Sequence, residues 1–219
     1  MENVKSTKSI KKLPLIVMII MAIVSFTNVF GVKIAGLSVI IGVIFFFIVG
    51  TKEKQPTQGS GLDIKSLGTD LKNKKIWFWI ILPLIMDIVS MSIGKLFLPG
   101  YIEHVIGRAG NFVSFKLIII TIIQLAVLAL GEEIAWRAFF QNQLNKALSI
   151  IPVLLISSVL FGIGHFNKGN ANIVVFDVFF VFINSILYGI IFHKTKNAWV
   201  SAISHFVANL FSVIVLVFI

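Results

Sequence analysis

Of 219 residues, 58% are hydrophobic and only 13% charged, and the mean hydropathy is +1.00, which excludes an ordinary soluble domain. The formal charge of +10 would suit a nucleic-acid binder, but the basic residues fall between apolar runs and form no stripe on a soluble face. Membrane topology accounts for them, and no nucleic-acid partner is expected. Cysteine is absent, which removes disulfides, thiolate catalysis and Cys-rich zinc sites.

At the amino terminus Lys5, Lys8, Lys11 and Lys12 precede an apolar run from Leu13 to Phe30. The run is long for a secretory signal and no small-x-small cleavage pattern follows it, so it reads as a retained span. A crossing helix needs about 20 apolar residues for a hydrocarbon core of roughly 30 Å. Hydropathy and breakers predict spans at 13–30, 34–50, 76–98, 116–148 (running beyond the bilayer), 150–166, 173–193 and 198–219. Between Thr51 and Lys75 the chain turns polar, with Pro56 and the stretch Gln58-Gly59-Ser60-Gly61. Leu62, Ile64, Leu67 and Leu71 then recur at a spacing that suits a short interfacial helix.

The fold class expected is all-α, a polytopic transmembrane helix bundle of about seven spans. Residues 1–110 would hold the amino-terminal helices and a cytoplasmic loop, and residues 111–219 the catalytic helices. Counted along that bundle, one set of ends carries Lys5, Lys8, Lys11, Lys12, Lys52, Lys54, Lys65, Lys72, Lys74, Lys75, Arg137, Lys146, Lys194 and Lys196. The other carries Lys33, Lys95, Arg108, Lys116 and Lys168. The positive-inside tendency then places the amino terminus in the cytoplasm, Ile219 outside, and the protein in the cell membrane.

Ionisable groups inside apolar spans are costly, about 2.5–3.5 kcal/mol each on insertion scales, and are functional candidates by default. The densest group is Gly131-Glu132-Glu133-Ile134-Ala135-Trp136-Arg137, directly after the apolar stretch Leu117 to Leu130. Glu133 and Arg137 are i,i+4 with the acid on the favoured amino-terminal side, so they should pair. Glu132 is turned about 100° from Glu133 and is left to point into a cavity. Phe161-Gly162-Ile163-Gly164-His165 follows, Phe161 and His165 again i,i+4, with two glycines that would let another helix approach closely.

A turn near Leu148 or Ser149 puts Glu132 and His165 each about 24 Å from the hairpin tip, at one level. With the hairpin tip about 10 Å proud of the hydrocarbon that level is some 14 Å deep, and His205 and Asn209, counted from Ala198, lie roughly 10 and 16 Å deep, which brackets it. Three helices thus carry polar groups to a common depth. A carboxylate there can take a proton from water, an imidazole can relay it, and His205 and Asn209 can donate to an oxyanion. Asp87, Gln124, Asp177, Asn184 and Tyr188 read chiefly as packing or hydrogen-bonding groups, Gln124 returning near the Glu132 face.

Glu132-Glu133-x-x-x-Arg137, Phe161-x-x-x-His165 and His205-x-x-x-Asn209 together resemble the signature of the CPBP family, also called Abi. It groups CAAX prenyl endopeptidases with bacteriocin-processing and self-immunity proteins. The resemblance covers about the last 100 residues. It implies peptide-bond hydrolysis near the cytoplasmic side of a multi-helix membrane core. It also implies that Glu132 and His165 activate water, that His205 and Asn209 form the oxyanion site, and that Glu133 and Arg137 support them. Metal use stays open: two histidines and a carboxylate could bind zinc, but no His-Glu-x-x-His occurs and metal-independent glutamate chemistry is favoured.

The partners expected are a lipid bilayer and a membrane-associated peptide or protein, whether leader peptide, pheromone precursor, bacteriocin or CAAX protein. Of the rival classes, a transporter or proton relay predicts matched repeats or broken helices, which the chain lacks. A non-catalytic immunity protein or scaffold would use the same groove without turnover.

Overall fold

In hydrocarbon a backbone can satisfy its own N–H and C=O groups only as a helix or a closed barrel, and each apolar run takes the helical course. The computed structural model describes residues 9–30, 32–53, 60–109 and 118–218. Lys5, Lys8, Lys54, Lys116, Pro56, the Gln58-Gly59 pair, Ile219 and the boundary at 110 lie outside the described residues. The long apolar helices are α1 (Lys12–Phe26), α2 (Gly36–Lys52), α4 (Lys74–Phe97), α6 (Ile118–Leu144), α7 (Ile150–Gly164), α8 (Ala171–Thr195) and α9 (Ala198–Phe218). They stand where the seven apolar segments were predicted. By length and composition α4, α6, α8 and α9 can each cross a membrane, while α1, α2 and α7 are shorter.

Short elements fill the connections. A two-residue antiparallel ribbon, β1 (Asn28–Val29) with β2 (Val32–Lys33), joins α1 to α2 with Asn28 opposite Lys33. The interfacial helix expected around 62–71 is shorter than its leucine spacing suggested: α3 is Leu67–Lys72. Helix α5 (Tyr101–Ala109) was not foreseen, because its apolar face is too short to stand out from the polar stretch around it. The predicted hairpin turn is in place, with α7 starting immediately after Ser149.

One end of the bundle is tied by polar contacts. Lys11 Nζ lies 3.4 Å and Lys146 Nζ 2.9 Å from the Glu53 carboxylate, joining the start of α1, the end of α2 and the turn after α6. Burial pushes the Glu53 carboxyl up, but the hydrogen bonds and charges of Lys146 and Lys11 outweigh it and hold the group below its ordinary value. Asn197, between α8 and α9, donates from Nδ2 to Asp63 O (2.8 Å), Ser66 Oγ (3.0 Å) and Asp70 Oδ2 (2.9 Å), which stitches the α3 segment to this end.

At the centre runs α6, whose stretch Ile134–Gln141 is a π-helix with all eight side chains buried. A helix can be covered on every side only if neighbours surround it. Gly42 of α2 comes so close that a Cβ there would lie 2.6 Å from Ala135 Cβ. The glycines of α7 do less than expected: a Cβ at Gly162 would make ordinary contact with Phe182, and one at Gly164 would meet open space. Arg137 bonds Ser185 and Gln141 bonds Gly189 O at 2.9 Å. The same offset at both rungs shows that α6 and α8 run parallel.

Candidate active site

The buried positions on the first part of α6 are Thr121, Leu125, Ala129 and Glu133, four apart. Glu133 is therefore the acid that continues the packing stripe against α9, and Glu132 is carried to its side. The i,i+4 pair expected from spacing is present: Arg137 Nε lies 3.3 Å from Glu133 Oε2, with the two side chains 2% and 0% exposed. The same guanidinium donates from Nη2 to Ser185 O (3.1 Å) and Oγ (3.0 Å). Its carbon sits 4.7 Å from the centre of the Phe161 ring and 5.6 Å from that of Tyr188, so the buried cation meets two π-faces as well as its acid.

From α9, His205 enters between the two acids. Its Nδ1 is 3.0 Å from Glu133 Oε1 and its Nε2 is 3.6 Å from Glu132 Oε2. Its ring is stacked on Tyr188, 4.4 Å between centres at 17°. The Glu133 carboxylate accepts, so Nδ1 carries a proton. At 3.6 Å, Nε2 and Glu132 are within ion-pair reach but too far apart for a hydrogen bond. Glu132 keeps 20% exposure and Glu133 none, which leaves Glu132 as the more accessible of the two acids.

His165 stands at the end of α7, not within it. Its Nδ1 donates to Phe161 O at 2.9 Å, closing a carbonyl the helix end leaves open, and Nε2 stays an acceptor in the neutral ring. The two rings lie 4.5 Å apart, and Phe161 touches His205 edge-on at 6.2 Å, so Phe161 separates the two histidines. Among the described residues no hydrogen bond or ion pair joins His165 to Glu132. Asn209 lies one turn beyond His205 on α9, half-buried, and its side chain makes no hydrogen bond among the described residues. Gln124 is exposed.

Spacing along single helices does not reveal what surrounds the motif residues. Tyr188, singled out only as a packing group, covers His205; Ser185 takes Arg137; the π-helix carries Arg137 into the core. A tyrosine and serine on one apolar helix at i,i+3 were the available signal. For zinc the donors do not fit: Glu133 is committed to Arg137 and His205, and among the described residues no three His, Asp or Glu side chains are grouped to hold a metal ion.

No curated protein and no solved structure matches the chain. Residues 114–211 match the family described as type II CAAX prenyl endopeptidase Rce1-like. That range holds Glu132, Glu133, Arg137, His165, His205 and Asn209, the residues of all three motifs. Over that range the chain is similar to the Rce1-like CAAX-protease family.

Proposed function

We propose that the protein is an intramembrane endopeptidase that hydrolyses a peptide bond in a membrane-associated protein or peptide, with water as nucleophile and no resident metal. The observation that carries this is one imidazole held between two carboxylates in an apolar bundle, one acid sealed by a guanidinium and the other left open. Ionised Glu132 takes a proton from water, with the Nε2 lone pair of His165 as a second acceptor. The Nε2–H of His205 and the Asn209 amide face the carbonyl oxygen as it becomes an oxyanion. The proton held by Glu132 then passes to the leaving amine. Glu133, held by Arg137, accepts from Nδ1–H and keeps the His205 ring in its orientation.

The bundle lies in the cell membrane with its amino terminus inside, so the Glu53 and Asn197 end faces the cytoplasm. The test is a membrane-bound reporter peptide with wild-type protein and Glu132→Gln in proteoliposomes. Wild type should cleave, and Glu132→Gln should bind the peptide, fold normally and not cleave. A Glu132→Gln protein that cleaves at the wild-type rate sinks the proposal. A wild-type protein that binds and never cleaves supports the scaffold reading instead.

A further inference from the structure

Asp87 has no part in the chemistry above, yet it is an acid in the middle of an apolar span, where a carboxylate is costly. Its two oxygens are used in two directions. Asn184 Nδ2 of α8 donates to Oδ1 at 2.6 Å, and Ser212 Oγ of α9 donates to Oδ2 at 3.1 Å. One carboxylate on α4 thus holds both helices that clamp His205. Asn184 is one turn from Tyr188, the ring stacked on His205, and Ser212 is two turns from His205 itself, on nearly the same face as Asn209. A second tie lies on the other side of His205, where Ser204 Oγ donates to Ile80 O at 2.7 Å. Ser204 and Ser212 of α9 therefore grip α4 at Ile80 and Asp87, two turns apart, with His205 and Asn209 between the grips. Two such points fix both the rotation and the height of α9.

Resting on the endopeptidase reading, we infer that Asp87 is a positioning residue: it sets α8 and α9 against each other so that His205 stays stacked on Tyr188 and directed at Glu132, with Asn209 on the same cavity. It touches no reacting atom. A carboxylate suits this position because it accepts from two helices at once, whereas serine or threonine offers a single oxygen. Asparagine keeps the shape and can accept from Asn184 while donating to the Ser212 hydroxyl, so it is the conservative replacement.

The experiment compares the full chain as wild type, Asp87→Ala and Asp87→Asn in nanodiscs, with two readouts. One is kcat and KM on the reporter peptide; the other is the His205 Hε1 resonance in histidine-labelled protein, which the Tyr188 ring shifts only while the two are stacked. Asp87→Ala should lower kcat about 10- to 100-fold with KM nearly unchanged, the scale of a misplaced catalytic group, and should move the His205 resonance toward its unstacked position. Asp87→Asn should restore most of both. An Asp87→Ala protein with wild-type kcat per folded molecule and an unmoved His205 resonance overturns the inference. If Asp87→Ala does not fold, Ser212→Ala cuts only the α9 arm and should show the same two changes, smaller; no change in either overturns it. If the wild type cleaves nothing, the endopeptidase reading fails, and the His205 resonance alone decides the role of Asp87.

Discussion

Arg137 is the most completely enclosed cation of the described residues, and its partners differ in kind: the Glu133 carboxylate, Ser185 and two aromatic faces. Removing one member of a buried pair leaves the other charge uncompensated and typically costs about 3–5 kcal/mol. Arg137→Ala should therefore lower the thermal unfolding temperature in detergent together with activity. A variant that unfolds normally and is merely inactive would assign Arg137 a direct part in the reaction. Asn209 is the opposite case, a half-buried amide without a side-chain partner among the described residues. Asn209→Ala should keep the unfolding temperature and lower kcat about 100-fold, as loss of one oxyanion donor does; unchanged kcat would remove it from the site. At this scale Glu133, Arg137 and Glu132 were legible, because i,i+4 spacing and the 100° step are properties of one helix. The place of His165 was not. Equal depth made it level with Glu132, but its Nδ1 is used to close the end of α7, and only the path of the chain after Gly164 decides that.

Among the elements, α6 departs furthest from what a regular repeat predicts. Its π-helical stretch has eight consecutive side chains buried because neighbouring helices surround it, whereas a surface helix would turn some of them outward. The interruption falls on the segment that carries Arg137, in keeping with the frequent occurrence of π-turns at functional sites. No local signal marks it, since Ile134 to Gln141 would pass as ordinary helix. The ends of the elements are more readable, as polar groups there have few choices. Glu53 has its folded-state value held below the ordinary one by Lys146 and Lys11. Its contribution to stability is thus full above the ordinary glutamate range and disappears as pH falls through the folded-state value. Thermal unfolding followed from about pH 7 to about pH 3 should show an acid loss that is smaller in Glu53→Gln. An identical pH dependence in the two proteins would mean that the Lys11–Glu53–Lys146 cluster contributes nothing.

For the molecule as a whole, the polar ties at the Glu53 and Asn197 end agree with an alternating bundle whose turns after α2, α6 and α8 share one side. The proposed orientation places that side in the cytoplasm. Lys65 is exposed in the segment before α3, and the chain has no cysteine of its own, so a single Lys65→Cys substitution reports topology without background. A membrane-impermeant thiol reagent should label it in inverted vesicles and leave it unlabelled in intact cells. Labelling in intact cells would invert the bundle.

The amino-acid sequence by itself determined that this is an all-α membrane protein, where its apolar helices lie, where the α6–α7 hairpin turns, and that Glu133 and Arg137 pair. Each of these depends on local quantities: apolar content over a span, i,i+4 spacing, and a polar break. Tertiary structure decided the rest, namely that His205 sits between both acids, that Tyr188 covers it, that Phe161 separates the two histidines, and that Asp87 joins α8 to α9. These are contacts between helices far apart in the chain. They depend on how the helices pack against one another, as where Gly42 lets α2 approach Ala135 of α6, a choice that no single helix contains.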